Sequence, residues 1–502
     1  MHLYLYKQLT IKKIIYYLVV PEKVIFVQRL GFSYVFDGGK ICKVVMENYS
    51  KPCNLGTDAM KPKPQFRDDF ELFQANFNQI LNPDHELVQL AQTIDWPRFD
   101  AAFADTYCED MGAPAKAVRL MVGLNYLKYT YDESDESLVA RWVENPYWQY
   151  FCGYTHMQHE CPIHPTSMTK WRHRVGAERL ELLLKETIDL AVRAKHLPTR
   201  DLERVNVDTT VQEKNVTFPT DSKLLHKAIV KLVKAAKARD IQLRQSYLRV
   251  GKAAAVKASR YAHAKQFKRM QRQLRKLRTY VGRLIRDIRR KAGTIDEDLA
   301  TLLDFTERVR NQRPGDSGKL YSLHEPQVQC ISKGKAHKRY EFGQKVAIAT
   351  TNRSNWIVAS RLMENNPYDG HTLEATLTTV ESVTGVLVTD AYVDKGYRGH
   401  DYAGPAQVHV AGQRHKNTSR SERRRRRRRS AVEPKIGHLK SDHRMGRCFL
   451  ARLSGDAINA VLSAAGANLR KLLRLFFYAL IRWLKRVVLL PQTPRFAPSY
   501  AA

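Results

Sequence analysis

Three acids stand where a strand-built core would place chemistry. Asp208 closes the run "VNVD", Asp394 follows "AYV" and opens "DKGYRGHD", and Glu433 lies just past seven consecutive arginines, Arg423 to Arg429. Carboxylate oxygens suit hard cations such as Mg²⁺, which keep several waters when bound. Two such ions, ~3.5–4 Å apart, can activate a water and stabilise the leaving oxygen in phosphodiester cleavage. Each acid alone is more often a turn or cap residue. Their shared placement at strand ends and at a helix start is what raises the chemical reading, because α/β cores carry their sites there.

Charge indicates what such a site would act on. The chain has 84 Lys and Arg against 50 Asp and Glu, a net +34 over 502 residues. That excess calls for a polyanionic partner, nucleic acid before a membrane surface. The 43% hydrophobic content is that of a globular protein. Seven scattered cysteines give no disulfide framework and suit a reducing cytoplasm. Cys152, His156, His159 and Cys161 crowd into ten residues, tighter than a two-knuckle zinc site, so zinc is not expected. "GDSGK" (Gly315 to Lys319) has the wrong spacing for a phosphate-binding loop, so no nucleotide cofactor is expected.

The elements that must position the acids fall into zones. Residues 1–59 read as an extension upstream of a natural start at Met60. Residues 60–198 carry apolar spacings of three and four, an all-α domain in which "ELVQLAQTIDW", "AVRLMVGLNYLKYTY" and "DESLVARWVENPYWQYFCG" predict amphipathic helices. Asp132, Ser134 and Asp135 offer caps for the last of these, and Ser167 or Thr169 for a following basic helix. Helix count does not separate a helix-turn-helix-like DNA reader from a dimerising scaffold.

Residues 199–222 begin an α/β core with strands predicted in "RVNVD" and "NVTF". Residues 223–313 interrupt it with a basic helical insertion, read as a helical hairpin. Between Asp221 and Arg290 there are 22 Lys and Arg against 3 acids. A merely solvated helix face usually alternates signs, so this density predicts contact with DNA. The core resumes over 314–450 with strands in "KRYEFGQKVAIATT", "NWIVASRLM", "GVLVTDAYVD" and "QVHVAG" and a helix in "HTLEATLTTVESVTG". Helices close the chain over 451–502. Charges interrupt "LRKLLRLFFYALIRWLKRVVLL" too often for a membrane span, so it reads as an amphipathic helix docked on protein.

In this order, "VNVDTTVQEK", "YEFGQKVAIATT", "NPYDGHTL", "AYVDKGYRGHD" and "RRRSAVEPKIGHLKSDHRMGR" resemble the DDE transposases of bacterial insertion sequences, in the insertion-sequence-four/five-type group. The helical stretch from Leu120 to Gly153 resembles the N-terminal domain of the same group. The resemblance implies an RNase H-like core in which Asp208, Asp394 and Glu433 bind two Mg²⁺ ions, with Mn²⁺ able to substitute. It favours Asp394 over the competing Asp390. Arg429, Glu433 and Lys440 match the spacing of the group's Tyr-Arg-Glu-Lys signature, while Arg426 stands where its tyrosine would be.

On a helix, 429, 433 and 440 fall within about 60° of one another, so Arg429 and Lys440 are placed to grip phosphates beside Glu433. Pro434 disfavours helix through Ser430, which puts Arg429 on a kinked or pre-helical turn. The expected activity is binding of terminal inverted repeats, then metal-dependent cleavage and strand transfer by a homodimer in the bacterial cytoplasm, at the nucleoid. The alternatives are a nuclease of the same fold that never joins strands, and a catalytically decayed DNA-binding protein.

Overall fold

The structure, a computed structural model, describes strands within residues 5–44 and then residues 75–107, 114–332, 339–413 and 419–488. The proposed start at Met60 and the final leucines of the C-terminal apolar stretch, Leu489 and Leu490, lie outside the described residues. The first unit, residues 1–57, contains two antiparallel ladders. One joins β1 (Leu5–Thr10), β2 (Lys13–Val20) and β3 (Lys23–Val24); the other joins β4 (Ser33–Asp37) and β5 (Lys40–Val44).

Among the described residues, the second unit opens with seven helices: α1 (Phe77–Ile80), α2 (Glu86–Thr93), α3 (Trp96–Phe103), α4 (Val118–Thr130), α5 (Asp135–Glu144), α6 (Pro146–Phe151) and α7 (Pro165–Arg193). Ser134 caps α5 in a capping box with Ser137, as its place in the sequence predicts. Two expectations change. The α4 segment is not amphipathic: every residue in it except Arg119 is buried. It is a central helix, so an apolar stripe on one face is not required. The cap of α7 is His164, not Ser167 or Thr169, because Pro165 takes the first helical position and moves the cap one residue ahead of it. Helix α7 then runs on past Gly176, whose positive φ of 79° kinks it.

The main sheet contains β6 (Arg204–Lys214), β7 (Gln329–Ile331), β8 (Glu341–Thr351), β9 (Ile357–Met363), β10 (Asp390–Val393), β11 (Gln407–Val410) and β12 (Arg447–Cys448). Its order is β11-β10-β6-β8-β7, with β9 also on β8 and β12 on the far end of β6. Strands β6, β8 and β9 are antiparallel neighbours, whereas β10 and β11 run parallel to β6. The expected strand in "NVTF" does not form. The β6 ladder ends at Lys214, and Pro219 and Thr220 then lead into the next helix, which Thr220 caps.

Four helices separate β6 from β7: α8 (Asp221–Ala238), α9 (Leu248–His263), α10 (Phe267–Lys291) and α11 (Glu297–Asn311). The simple hairpin expected here is therefore a four-helix unit with its own apolar core. In α10, Leu274, Leu277, Val281, Leu284 and Ile288 are all buried. Their alternating spacing of three and four is a coiled-coil-like seam, which leaves the arginines between them facing solvent.

Helix α12 (Leu373–Thr384) covers one face of the sheet. The other face meets α13 (Arg420–Arg428), α14 (Val432–Asp442) and α15 (Arg452–Val488). Leu469, Leu472 and Leu473 of α15 are buried in the core that the sheet shares with α4 and α7, so this part of the C-terminal segment docks on protein. Among the described residues, no helix is long and apolar enough to cross a membrane.

Lys471 of α15 gives the fold a pH dependence. Its ammonium stands 4.2 Å from the Trp356 ring centre and donates to the Ser354 carbonyl. Burial pushes its pKa down to about 7, Lys435 pushes in the same direction, and Asp201 partly opposes them. In the unfolded chain a lysine titrates near ~10.4. Below pH ~7 both states hold the proton. Between these values only the unfolded state does, so stability rises with pH through that window. Urea melts are expected to show a gain of ~1–2 kcal/mol from pH 7 to 9.5. Lys471→Met should remove the larger part, the rest coming from Lys435 and Lys128, both pushed down to about 8 by burial.

Candidate active site

Strand β6 alternates. Val205, Val207 and Val211 are fully buried, whereas Asn206, Asp208, Thr210, Gln212 and Lys214 point to the opposite face. That polar face meets the C-terminal helices: Gln212 donates to the Asp456 carbonyl at 2.9 Å and Lys214 pairs with the Asp456 carboxylate at 3.0 Å. Asp208 belongs to this face. The β6–β10 register pairs Val207 with Val393. One residue further on, Asp208 continues β6 and Asp394 lies just past the end of β10, each following a paired position on parallel strands ~4.8 Å apart.

Local hydrogen bonds fix both carboxylates. Asp208 Oδ1 accepts from the Thr209 amide at 2.7 Å. Asp394 Oδ1 accepts from the Lys395 amide at 2.6 Å and so caps the single 3₁₀ turn Lys395–Tyr397. Burial raises the Tyr397 phenol well above its usual range; Thr372 opposes this, while the negative charges of Asp208, Asp369 and Asp394 add to it. Three carboxylates thus lie within electrostatic reach of one buried phenol.

Asp390 lies at the other end of β10, on the same face but four residues earlier, ~13 Å away along the strand. It binds Arg204 at 3.2 Å and His409 at 2.8 Å. Burial raises its pKa, but His409, Thr389 and Arg204 outweigh that and leave the carboxyl below its ordinary value. Arg426 donates to the other ring nitrogen of His409 at 3.0 Å, which makes Nε2 the donor to Asp390. The ring of His409 in turn stacks on Tyr392 at 4.7 Å. Arg426, in the signature's tyrosine position, is therefore tied up in this network and also pairs with Glu422 at 3.0 Å.

Glu433 begins α14 and is exposed. A 3₁₀ turn, Arg429–Ala431, joins it to the arginine helix α13. Pro434 has no amide hydrogen to give Ser430, so the α-helical ladder is interrupted at this turn. Arg429 still reaches forward, with Nη2 3.0 Å from Glu433 Oε1 and Nη1 3.7 Å from Asp394 Oδ1. Its guanidinium bridges the two acids. Lys440 follows two turns later on α14, ~10 Å along the axis and ~20° from Glu433 around it.

Side-chain amides hold this helix end on the sheet. Asn206 donates to the Arg428 carbonyl at 3.2 Å, Asn352 to the Arg425 carbonyl at 3.0 Å, and Asn355 to the Ala431 carbonyl at 3.1 Å. Asn352 also donates to Asn206 Oδ1 at 2.7 Å, and both residues are buried. Sequence reasoning missed these three, although the polar alternation N-D-T-Q-K along β6 was there to be read. Six of the seven arginines divide accordingly. Arg423, Arg424 and Arg427 join Arg420 around an outward groove, while Arg425, Arg426 and Arg429 pair with acids on the inner side.

The donor chemistry suits a hard divalent cation, and Asp208 and Asp394 are already neighbours. Among the described residues, no group of three or more His, Cys, Asp or Glu is close enough to hold a metal as it stands. Arg429 lies between Asp394 and Glu433 and pairs with both. Cys152, from the crowded Cys/His stretch, is buried with its Sγ 2.9 Å from where a β-carbon on Gly123 would stand, which is a packing position.

Residues 75–174 match the model of a transposase domain (DUF772), and residues 300–469 match that of a transposase DDE domain. The second match contains Asp394, Glu433, Arg429 and Lys440 but not Asp208, which precedes the helical insertion. The chain is also similar to a Rhizobium meliloti protein described as uncharacterized, ORF8 in the nfe locus. The two are 52% identical over 208 residues, 41% of this chain and all of that protein. No solved structure matches.

Proposed function

The chain belongs to the DDE transposases of insertion sequences, enzymes of metal-dependent phosphoryl transfer on DNA, and on that premise we propose that it binds the terminal inverted repeats of its element, cleaves there and joins the freed end to target DNA. The observation that carries this reading is that Asp208 and Asp394 directly follow the paired residues Val207 and Val393 of parallel strands, while Arg429 links Asp394 to Glu433. The sheet supports an RNase H-like core: three antiparallel strands, then two parallel ones beside the first, with a helical insertion after the first strand.

Asp208, Asp394 and Glu433 would hold two Mg²⁺ ions, and Mn²⁺ can replace them. When bound, the ions supply Lewis-acid stabilisation of the phosphate's developing charge and activation of water. The chain itself supplies position. Arg429 offsets the repulsion between Asp394 and Glu433, and once released it faces a phosphate together with Lys440. Water breaks the phosphodiester at the element end and leaves a 3′-hydroxyl. That hydroxyl attacks a target phosphodiester in line and displaces the target's own 3′ oxygen, so no covalent enzyme intermediate is needed.

The outward arginines of α13 and the solvent face of α10 follow the DNA backbone without reading bases. The protein works as a homodimer at the nucleoid, in the cytoplasm, with the helices of residues 60–198 binding DNA or forming the dimer contact.

The test is Mg²⁺-dependent cleavage and joining on a labelled duplex carrying the element's own end, with wild type beside Glu433→Gln. Cleaved and joined products from wild type only, with both proteins binding, are expected. Cleaved product that is never joined would instead support a nuclease. Binding without any product in Mg²⁺ or Mn²⁺ would overturn the catalytic reading.

A further inference from the structure

Four groups make a small cluster under the Asp394 turn, on the face of the sheet opposite Asp208. Thr209 follows Asp208 on β6, so its side chain points the other way, where Thr209 Oγ1 donates to Asp369 Oδ1 at 2.9 Å. Lys345 of β8 reaches the same oxygen at 2.9 Å and the Pro367 carbonyl at 2.5 Å, with its own side chain only 9% exposed. The second carboxylate oxygen, Oδ2, lies 3.3 Å from where a β-carbon on Gly396 would stand.

The flanking residues grip the same turn. Tyr368 donates to the Arg398 carbonyl at 2.5 Å, and a β-carbon on Gly370 would stand 3.0 Å from His400 Cα. "NPYDGH" therefore cradles the stretch 394–400. Through one carboxylate it ties that stretch to the residue after Asp208.

We propose that Asp369, held by Lys345 and Thr209, is a positioning residue that sets the Asp394 turn against the Asp208 strand and so fixes the spacing of the two acids. The inference rests on the proposed metal-dependent reading of that pair. Asp369 is not a ligand: one oxygen is committed to Thr209 and Lys345, and the other lies against Gly396, 3.3 Å from where a β-carbon there would stand. Its carboxylate also neutralises a nearly buried lysine, so removing the charge alone leaves Lys345 uncompensated. A mispositioned carboxylate harms Mg²⁺ more than Mn²⁺, because Mg²⁺ demands near-ideal octahedral geometry.

The experiment uses the full chain as wild type, Asp369→Asn, the neutral pair Asp369→Asn/Lys345→Gln, Gly396→Ala and Asp208→Asn. Mn²⁺ binding is measured by titration calorimetry without DNA, end cleavage in Mg²⁺ and in Mn²⁺, and amide exchange over residues 395–400. Asp369→Asn is expected to weaken Mn²⁺ about 10-fold, within the 10–100-fold usual for residues that orient ligands. It should lose more cleavage in Mg²⁺ than in Mn²⁺ and speed exchange in the turn. The neutral pair, which keeps the hydrogen bonds without the charges, should recover most of each loss. Gly396→Ala, which crowds Oδ2 from the other side, should move all three readouts the same way but less, and it decides the matter if Asp369→Asn does not fold.

If the neutral pair loses Mn²⁺ as completely as Asp208→Asn, Asp369 is a ligand and the proposal is overturned. Wild-type behaviour of Asp369→Asn overturns it too. Should wild type neither bind Mn²⁺ nor cleave, the transposase reading fails, while turn exchange alone still shows whether Asp369 holds the Asp394 segment.

Discussion

Asp208→Asn and Asp394→Asn are each expected to lose cleavage of the element end by at least about 10³-fold, ~4 kcal/mol of transition-state stabilisation, while still binding DNA. Each residue directly follows the pair Val207–Val393 of the parallel strands β6 and β10, so each substitution removes one half of the proposed oxygen pair. The informative control is Asp390→Asn. Asp390 is on the same strand and the same face, and it carries stronger contacts than Asp394, to Arg204, His409 and Thr389. Those contacts make it structural. Its loss leaves Arg204 and His409 short of a partner and should lower stability by ~1–3 kcal/mol in denaturant melts, with cleavage of the folded fraction within a few-fold of wild type. A chemical effect of Asp390→Asn as large as that of Asp394→Asn would mean the acids had been paired wrongly.

The second large effect concerns DNA affinity. On α10, Arg272, Arg275, Lys276, Arg283 and Arg286 are exposed and recur at helical spacing, so they form one stripe ~20 Å long. Among the described residues, none of these five forms an ion pair with an acid, whereas Arg289 and Arg290 do, with Glu307 and Asp287. Arg283 and Arg286 also line a groove with Arg244 beside Tyr247, whose ring stacks on Tyr280 at 4.7 Å.

Replacing Arg275, Lys276, Arg283 and Arg286 with Gln should reduce the slope of log K against log[salt] by ~3–4, because each phosphate contact contributes ~0.9. Affinity for any duplex should fall together, about 10²–10³-fold at moderate salt, without a change in sequence preference. The apolar seam of α10 is untouched, so the fold should persist. An unchanged salt slope would place the DNA elsewhere on the protein.

The strands that carry Asp208 and lead to Asp394, the basic helices between β6 and β7 and the start of α5 were legible in the amino-acid sequence because each leaves a local trace. Asp394 follows the end of its strand as expected, whereas Asp208, expected at a strand end, lies mid-strand because Thr209, Thr210 and Val211 carry β6 on to Lys214. The helices of 223–313 keep a three-and-four apolar spacing beneath their arginines, and Ser134 announces the start of α5. Single-residue placements read less well where a neighbour overrode propensity. Val216 and Phe218 favour a strand but find no ladder before Pro219, and Pro165 moved the start of α7 to His164.

Other features could not be read at all, because they depend on which residues meet across distant segments. The resemblance favours Asp394 over Asp390, but only the β6–β10 register, which sets Asp390 opposite Arg204 and Val393 opposite Val207, shows how each lies along β6. The arginine run looks uniform as text. Only its packing against Asn206, Asn352 and Asn355 turns Arg429 toward Asp394 and Glu433 and turns Arg423, Arg424 and Arg427 to solvent. Asp369 was visible as part of a motif, but its role arises where β6, β8 and the Asp394 turn converge. Sequence sets residue type and local periodicity, and so the chemistry available; strand register and helix docking set distances, and so decide which acids can act together.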